Sequence, residues 1–216
     1  MKHDRTFNGG MVISTAQKKF GNSSWLFGGD GSGDTVFAAD SADFNFGTGD
    51  FTVEAQVRMA LDLNYYTGLI TTLTPGNVGW MLGFTGTGTN PAFYRNNSTA
   101  SPAVSSSISI VVDLWSHVAV VRSGNTLTIY VNGVSGGSAD VTGLSFDSGV
   151  LDLRLLAGYL ALQMNITATS MKSVSPKASP VGQLISLLPP RCTFLISTQF
   201  SCATAKAICW VQVLTR

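Results

Sequence analysis

The stretch DSADFNFGTGDFTVEAQVR, residues 40–58, determines how the rest of the chain is interpreted. Its second half alternates apolar and polar side chains, which is the period-two pattern of a half-buried β-strand. The four residues before it, GTGD at 47–50, are typical of a tight turn. We therefore predict a strand entered through a turn. Its apolar face carries Phe51, Val53, Ala55 and Val57, and its polar face carries Thr52, Glu54, Gln56 and Arg58.

Further short runs of the same kind lie on both sides of this strand. Turn residues separate them, with 23 glycines in the chain and a strong tight-turn signal at Asn132-Gly133. No helical period of useful length is present, so the pattern predicts an all-β fold, an antiparallel β-sandwich. The predicted strands are Met11–Ser14, Trp25–Phe27, Thr35–Ala38, Phe51–Met59, Gly68–Leu73, Trp80–Phe84, Ala92–Arg95, Ile108–Val112, Trp115–Arg122, Thr126–Val131 and Leu151–Leu155.

The overall composition excludes some classes of partner. The chain has 216 residues, of which 12% are charged, with a net charge of +1. We therefore expect neither nucleic acid nor an anionic membrane as a partner. The N-terminal residues MKHDRTFNGG have no apolar core, so no signal peptide is expected in this chain. No apolar stretch of about 20 residues is present to span a bilayer.

Several blocks resemble one known family. DSADFNFGTGDFTVEAQVR, FGNSSWLFGGDGSGDTVFAAD, DLWSHVAVVRSGNTLTIYVNGV and, more weakly, LDLRLLAGY are similar to the signature of LamG-like jelly-roll domains of the concanavalin A-like lectin/glucanase superfamily. The versions in phage and bacterial surface proteins are the most similar. The resemblance covers Val12 to Tyr159 and implies a jelly-roll sandwich. The family's opening strand has no counterpart before Met11, so we expect a domain over residues 11–157 after a frayed or disordered segment 1–10.

The remaining residues, 158–216, differ from the rest of the chain in amino-acid composition. All 12 acidic residues lie at or before Asp152, whereas all three cysteines (Cys192, Cys202 and Cys209) lie after it. We expect an irregular tail here, and the cysteines, which lack CxxC spacing, are expected to be neither metal ligands nor a disulfide framework. A genuine linker or second module is the alternative interpretation.

A slipped reading frame explains this change of composition. If each codon is regrouped to begin at its third base, residues 166–190 can encode NGYIDEVRISKGVARWTANFTPPT, which resembles the closing phrase of the family. Met171 followed by Lys172 then forces Glu, and Val181 followed by Gly182 permits Trp. We therefore hypothesise that residues from about Leu156 onward are an out-of-frame translation of the domain's own C-terminus. The predicted fold is thus a truncated jelly roll, without the family's first and last strands.

Catalytic chemistry is poorly supported by the sequence. Glycoside hydrolysis needs two carboxylates a few ångströms apart, but the predicted strands carry a single glutamate, Glu54, interpreted as a solvated charge on the outer face. His117 shares a face with Trp115 and is interpreted as a packed or cross-strand histidine, because no nucleophile motif accompanies it. We predict that the protein is not an enzyme.

Two kinds of binding site are candidates. Sugar binding needs an exposed aromatic platform, and Tyr65, Tyr66, Trp80 and Tyr94 lie near predicted loops, although core packing is the simpler interpretation of each. No cofactor is required, but Ca²⁺ takes oxygen ligands, and some relatives of this fold carry a calcium loop. Asp30, Asp34 and Asp140 could contribute to such a site, with plain turn chemistry as the alternative.

The resemblance implies a binding function. We expect a non-catalytic module of a phage virion or bacterial surface protein that binds carbohydrate or a surface. The partners would be a glycan or host-surface polysaccharide and other virion or surface proteins, at the virion or the extracellular surface. The alternative is a purely structural virion or tail-fibre spacer without a ligand.

Overall fold

Two antiparallel sheets make up the body of the computed structural model, which describes residues 5–29, 34–60, 67–73, 78–86, 88–96, 101–148, 153–156, 160–165, 193–202 and 205–214. The strands are β1 (Arg5–Asn8), β2 (Val12–Ser14), β3 (Ser24–Gly29), β4 (Thr35–Ala38), β5 (Phe51–Met59), β6 (Thr67–Thr71), β7 (Trp80–Phe84), β8 (Pro91–Arg95), β9 (Val104–Ser105), β10 (Trp115–Ser123), β11 (Thr126–Val131), β12 (Val134–Asp140), β13 (Leu153–Leu156), β14 (Leu160–Asn165), β15 (Thr193–Cys202) and β16 (Ala205–Leu214).

The strand order defines the architecture. Sheet I runs β1-β4-β13-β6-β7-β8-β9, and sheet II runs β12-β11-β10-β5-β14-β3-β2. β15 and β16 form a separate two-stranded sheet. The only helix among the described residues is a 3-10 turn, Ala42–Phe44, and no described helix has the length and apolarity to cross a membrane. The prediction of an all-β antiparallel sandwich is confirmed.

The core lies between the two sheets. β5 alternates buried and half-buried residues along its whole length, as its sequence predicts. At its start, Phe46 stacks on Phe51 with ring centroids 4.5 Å apart and on Trp80 at 4.9 Å. Phe93 and Phe146 complete this aromatic cluster. Each such buried ring contributes about 1.5–3 kcal/mol of hydrophobic stabilisation, so the cluster anchors the 44–51 segment onto the sandwich.

The centre of sheet II is set by two pairings of β10. Residues 115–122 of β10 pair with residues 58–51 of β5, and β10 continues as a hairpin into β11. The next turn, from β11 to β12, has φ of 51° at Asn132 and 81° at Gly133. Positive φ at both central residues matches the twist of the flanking strands, so the predicted tight turn is confirmed.

The two sheets meet at the edges formed by β9 and β12. The backbone N–H and the hydroxyl of Ser107 both donate to the carbonyl of Gly136, at 2.8 and 2.9 Å. A side chain at Gly136 would overlap Ser106, and one at Gly137 would press on the carbonyl of Ser105. The two glycines of β12 therefore allow the backbone of the other sheet to come close and close this side of the sandwich.

Three sequence predictions are wrong in part. Within the segment 1–10, Arg5–Asn8 is not frayed but forms β1, which pairs with β4. The predicted strand Ile108–Val112 is absent, because the hydroxyl of Ser106 accepts a hydrogen bond from the N–H of Ile108 and turns the chain. The strand at this position is β9, two residues long, just before that turn.

The third wrong prediction concerns the tail. Residues 158–216 are not irregular throughout, since β14 pairs with both β3 and β5 in the interior of sheet II. Further along, β15 pairs with β16. The slot beside β5 is therefore filled, although the family's closing phrase is missing from the translated sequence. The out-of-frame origin of the tail stays a hypothesis.

Candidate functional site

The aromatic residues predicted as a sugar platform do not form one in the described structure. Trp80 is 2% exposed and its indole N–H donates to the carbonyl of Phe44 at 2.9 Å. Tyr94 is fully buried and its hydroxyl donates to the carbonyl of Phe84 at 3.2 Å. The prediction is wrong for these two, because neither ring presents a face to solvent. Tyr65 and Tyr66 lie outside the described residues.

The two described calcium candidates, Asp34 and Asp140, are each hydrogen-bonded within the chain. Asp34 is buried, and its carboxylate accepts a hydrogen bond from the N–H of Gly10 at 2.5 Å. Asp140 is exposed and accepts hydrogen bonds from the N–H and hydroxyl of Thr142, at 2.8 and 2.6 Å. Asp30 is not among the described residues. In the part of the chain that the structure describes, no three His, Cys, Asp or Glu side chains form a metal-binding group. Calcium binding stays a prediction.

The polar groups that do converge lie on the outer face of sheet II. We call this surface the β5–β10 face and define it by Glu54, Gln56, Arg58, Trp115 and His117. Alternation along β5 and β10 turns these side chains away from the core, and each is half-buried. Ala119 lies directly opposite Glu54 on one side and Tyr130 on the other, so Tyr130 borders the face on β11.

A cross-strand pair joins Glu54 to His117. The carboxylate oxygen Oε2 of Glu54 and the ring nitrogen Nε2 of His117 are 3.1 Å apart, and the side chains are 26% and 32% exposed. His117 lies opposite Gln56, so its contact with Glu54 is the diagonal one. The sequence interpretation of His117 as a cross-strand histidine is confirmed. Glu54 is on the outer face as predicted, but it is paired rather than simply solvated.

Trp115 and Gln56 are diagonal neighbours in the same way as His117 and Glu54. Trp115 lies opposite Arg58, one step from Gln56 along the outer face of β5. The indole Nε1 of Trp115 and the amide Oε1 of Gln56 are both shielded from solvent, and neither has a hydrogen-bond partner among the described residues. Leaving a buried donor or acceptor unpaired costs about 1–3 kcal/mol. The interior of this face therefore holds one donor and one acceptor without a partner among the described residues.

Arg58 supplies the guanidinium of this face. It donates from Nε to the backbone carbonyl of Asp113 at 3.0 Å and from Nη2 to the carboxylate of Asp113 at 2.7 Å. Asp113 sits in a turn with φ of 65°, held by its own N–H to the carbonyl of Met59 at 2.7 Å. The carboxylate of Asp113 thus neutralises the charge of the Arg58 guanidinium and holds the side chain in place at the end of β5.

This arrangement suits binding better than bond cleavage. Of the two described carboxylates near the face, Asp113 is bound by Arg58, and Glu54 is bound by His117. A free acid–base pair of the kind that glycoside hydrolysis uses is not present among these residues. Instead the face combines an aromatic ring with several hydrogen-bonding groups that are fixed on two paired strands.

Gln56 and Trp115 were not identified as site residues from the sequence. The alternation of β5 and β10 places both on outer faces, and this signal is present in the sequence. The missing information is the register between β5 and β10, because 55 residues lie between Met59 and Trp115 and no short turn joins these strands. Their juxtaposition becomes visible only in the folded sheet.

The two antiparallel sheets have the architecture of a concanavalin A-like jelly roll. The family model Laminin_G_3, of the concanavalin A-like lectin/glucanases superfamily, matches residues 14–158. The chain belongs to this family. No similar sequence is found among the curated proteins.

Solved structures with the same fold include binding domains of clostridial toxins. The binding domain of Paraclostridial Mosquitocidal Protein 1 superposes with a TM-score of 0.61 at 15% identity, covering 75% of this chain and 42% of that one. A botulinum neurotoxin type C structure, from a toxin whose cell entry is described as dependent on two ganglioside molecules, gives 0.56 at 14% identity, covering 75% and 41%. The binding domain of botulinum neurotoxin DC in complex with SialylT gives 0.54 at 14%, covering 75% and 41%. The chain therefore spans about two fifths of the length of these structures.

Proposed function

We propose that this chain is a non-catalytic carbohydrate-binding module that binds a glycan through the β5–β10 face. The observation that carries the proposal is that two residues on one diagonal of this face each hold a shielded polar atom without a described partner, the indole N–H of Trp115 and the amide oxygen of Gln56. Rotation of the two side chains towards solvent would let sugar hydroxyls accept from the indole and donate to the amide oxygen, because a hydroxyl is both donor and acceptor. Binding would remove the cost of two unsatisfied groups.

The neighbouring groups extend the same chemistry. The half-buried ring of Trp115 provides an apolar surface against which a sugar ring can stack. Glu54 and His117, held together at 3.1 Å, present further polar atoms on the same face. Because these groups sit on two paired strands rather than on loops, they are held in place before a ligand arrives, which reduces the entropy lost on binding.

The comparisons support this proposal at the level of architecture. Toxin binding domains of the same fold are described in connection with gangliosides and with SialylT. We also propose a setting on a phage virion or bacterial surface, supported by the similarity of the sequence blocks to that branch of the family. In that setting the ligand would be a host-surface polysaccharide.

A structural spacer without a ligand is the second candidate. The burial of Trp80 and Tyr94 favours it, because two of the aromatic residues near loops serve the core rather than a surface. A spacer would bind no glycan at any concentration tested, whereas a binding module would show saturable affinity that depends on the β5–β10 face.

A glycan array probed with the wild-type chain, with and without Ca²⁺, separates the two candidates. The decisive variant is Trp115→Phe, which removes the indole donor and keeps an aromatic ring. Loss of one hydrogen bond worth about 1.4 kcal/mol weakens binding roughly tenfold. Ser105→Ala, an exposed position in sheet I, is the control and should bind as wild type. Absence of any glycan binding by the wild type would favour the spacer.

A further inference from the structure

The chain contains two Asn-Gly dipeptides, Asn8-Gly9 and Asn132-Gly133. In such a dipeptide the backbone nitrogen of glycine can attack the side-chain amide carbon of asparagine, because glycine has no side chain to block the approach. All four residues are exposed, and both glycines lie in turns. The two dipeptides are therefore alike in sequence and in exposure, but the structure holds them differently.

The turn at Asn132 is fixed to the neighbouring strand by two hydrogen bonds. The backbone N–H of Asn132 donates to the carbonyl of His117 at 2.8 Å, and the side-chain Oδ1 of Asn132 accepts from the N–H of His117 at 2.8 Å. His117 belongs to β10, whereas Gly133 leads into β12 on the other side of β11. The side-chain amide must therefore leave His117 before it can turn towards the nitrogen of Gly133.

Asn8 has no comparable restraint among the described residues. It ends β1, a strand of four residues that pairs only with β4 among the described strands. No hydrogen bond among the described residues involves the side chain of Asn8. A short strand at the edge of a sheet and near a chain terminus opens at a lower free energy than a turn fixed to an interior strand. The backbone at Asn8 can therefore rearrange more readily.

We propose that Asn8 is a site of spontaneous deamidation and that His117 protects Asn132 from the same reaction. The nitrogen of Gly9 forms a bond to Cγ of Asn8, and the bond from Cγ to the side-chain nitrogen breaks. Ammonia leaves with the proton of the Gly9 amide, which gives a cyclic succinimide. Water then opens the ring at either carbonyl and returns a proton to the Gly9 nitrogen, so position 8 becomes aspartate or isoaspartate.

The products alter the contact that holds the end of β1. The N–H of Gly10 donates to the buried carboxylate of Asp34 at 2.5 Å. The backbone of Gly9, with φ of 80°, packs so closely that a methyl group on it would lie 2.8 Å from Cα of Asp34. Isoaspartate adds a methylene group to the backbone just before this contact, and both products add a carboxylate near that of Asp34. Deamidation therefore loosens the turn after β1.

The test follows both dipeptides in the folded wild-type chain at mildly alkaline pH by peptide mapping and mass spectrometry. The gain of one mass unit should accumulate at least about tenfold faster at Asn8 than at Asn132, because two hydrogen bonds must break at Asn132. In a denaturing concentration of urea the two rates should become similar. Asn8→Gln is the control variant, which should lose the fast reaction and leave the rate at Asn132 unchanged.

Three results would overturn the proposal. The first is a rate at Asn132 equal to or faster than that at Asn8 in the folded chain. The second is a difference that persists in urea, because the neighbouring sequence rather than the fold would then set it. The third concerns the deamidated fraction, in which hydrogen exchange of the Gly10 N–H should be severalfold faster than in the unmodified chain. Unchanged exchange there would overturn the inferred loosening of the turn.

Discussion

Arg122 is a buried cation held by backbone carbonyls at one end of the sandwich. It is 2% exposed and donates to the carbonyls of Leu144 at 2.7 Å and Gly124 at 3.0 Å. Its guanidinium also lies 5.6 Å from the ring centre of Phe146. Burial lowers the pKa of Arg122, while the charge of Asp50 acts in the opposite direction. One side chain thus joins loops that are far apart in sequence.

Replacing this guanidinium should be costly. Arg122→Met keeps the aliphatic stem but removes every donor, leaving the carbonyls of Gly124 and Leu144 without this partner. We expect the free energy of unfolding to fall by roughly 2–4 kcal/mol. Urea denaturation measures the change, with Ser123→Ala, an exposed neighbour, as the control. A variant as stable as wild type would show that Arg122 contributes only packing.

The hydrogen bonds of Asp140 should make the stability of the fold depend on pH. Hydrogen bonds from the hydroxyl and the N–H of Thr142 lower the pKa of Asp140. A folded pKa below the unfolded one stabilises the fold above the unfolded value, and this contribution is lost as the pH falls through the folded pKa. Thr142→Val removes the hydroxyl donor, so the pKa of Asp140 should rise in a carboxyl NMR titration. An unchanged titration would mean that the backbone N–H alone sets it.

At the scale of the elements, β12 depends on its glycines to meet the other sheet. A methyl group at Gly136 would overlap the side chain of Ser106, and such overpacking typically costs about 1–3 kcal/mol. Gly136→Ala should therefore lower the thermal midpoint. The double variant Gly136→Ala, Ser106→Gly removes the clash and should recover part of the loss. If the double variant is no more stable than expected from two independent changes, this contact does not limit the approach of the sheets.

The elements show which parts of the fold the sequence predicts. β5, β10, β11 and the Asn132-Gly133 turn were predictable because alternation and turn chemistry are local signals. β1 was missed because RTFN contains one large apolar residue and so shows no alternating face. β14 was missed because the change of composition led us to expect an irregular tail from residue 158. β12 was missed because VSGGSAD has almost no apolar face, and its glycines are explained only by the neighbouring sheet.

The candidate site was harder to predict than the strands. Trp80 and Tyr94 were candidates for a sugar platform because they lie near loops, with core packing as the simpler interpretation. The structure supports core packing, since every residue of β7 is buried and so is Tyr94 on β8. Alternation cannot report burial on both faces of a strand. Conversely, Glu54 and His117 come into contact only because the register between β5 and β10 makes them diagonal neighbours. The sequence gives the face of each residue but not its neighbour.

On the scale of the whole molecule, the C-terminal part stands apart. β15 and β16 pair with each other in a sheet separate from the two main ones, and acidic residues stop at Asp152. We propose that residues from about Leu156 onward are out of frame. In that case β14, which lies between β5 and β3, has a sequence that natural selection did not adapt to this position.

The gene sequence tests this proposal directly. Regrouping each codon to begin at its third base should give NGYIDEVRISKGVARWTANFTPPT over residues 166–190 without interruption. The restored chain would then supply a family-type strand beside β5, and we expect it to unfold at a higher temperature than the chain described above. Stop codons in that frame through this region would contradict the proposal and favour a genuine second segment.

The central claim is that the outer face of β5 and β10 binds sugar through Trp115 and Gln56. The most direct measurement is an NMR titration of the tryptophan indole N–H signals with lactose, with Trp115 assigned through Trp115→Phe. The signal of Trp115 should move, because its indole N–H gains a hydrogen-bond partner. That of Trp80, already bonded to Phe44, should stay in place. A Trp115 signal that does not respond at saturating sugar would contradict the account.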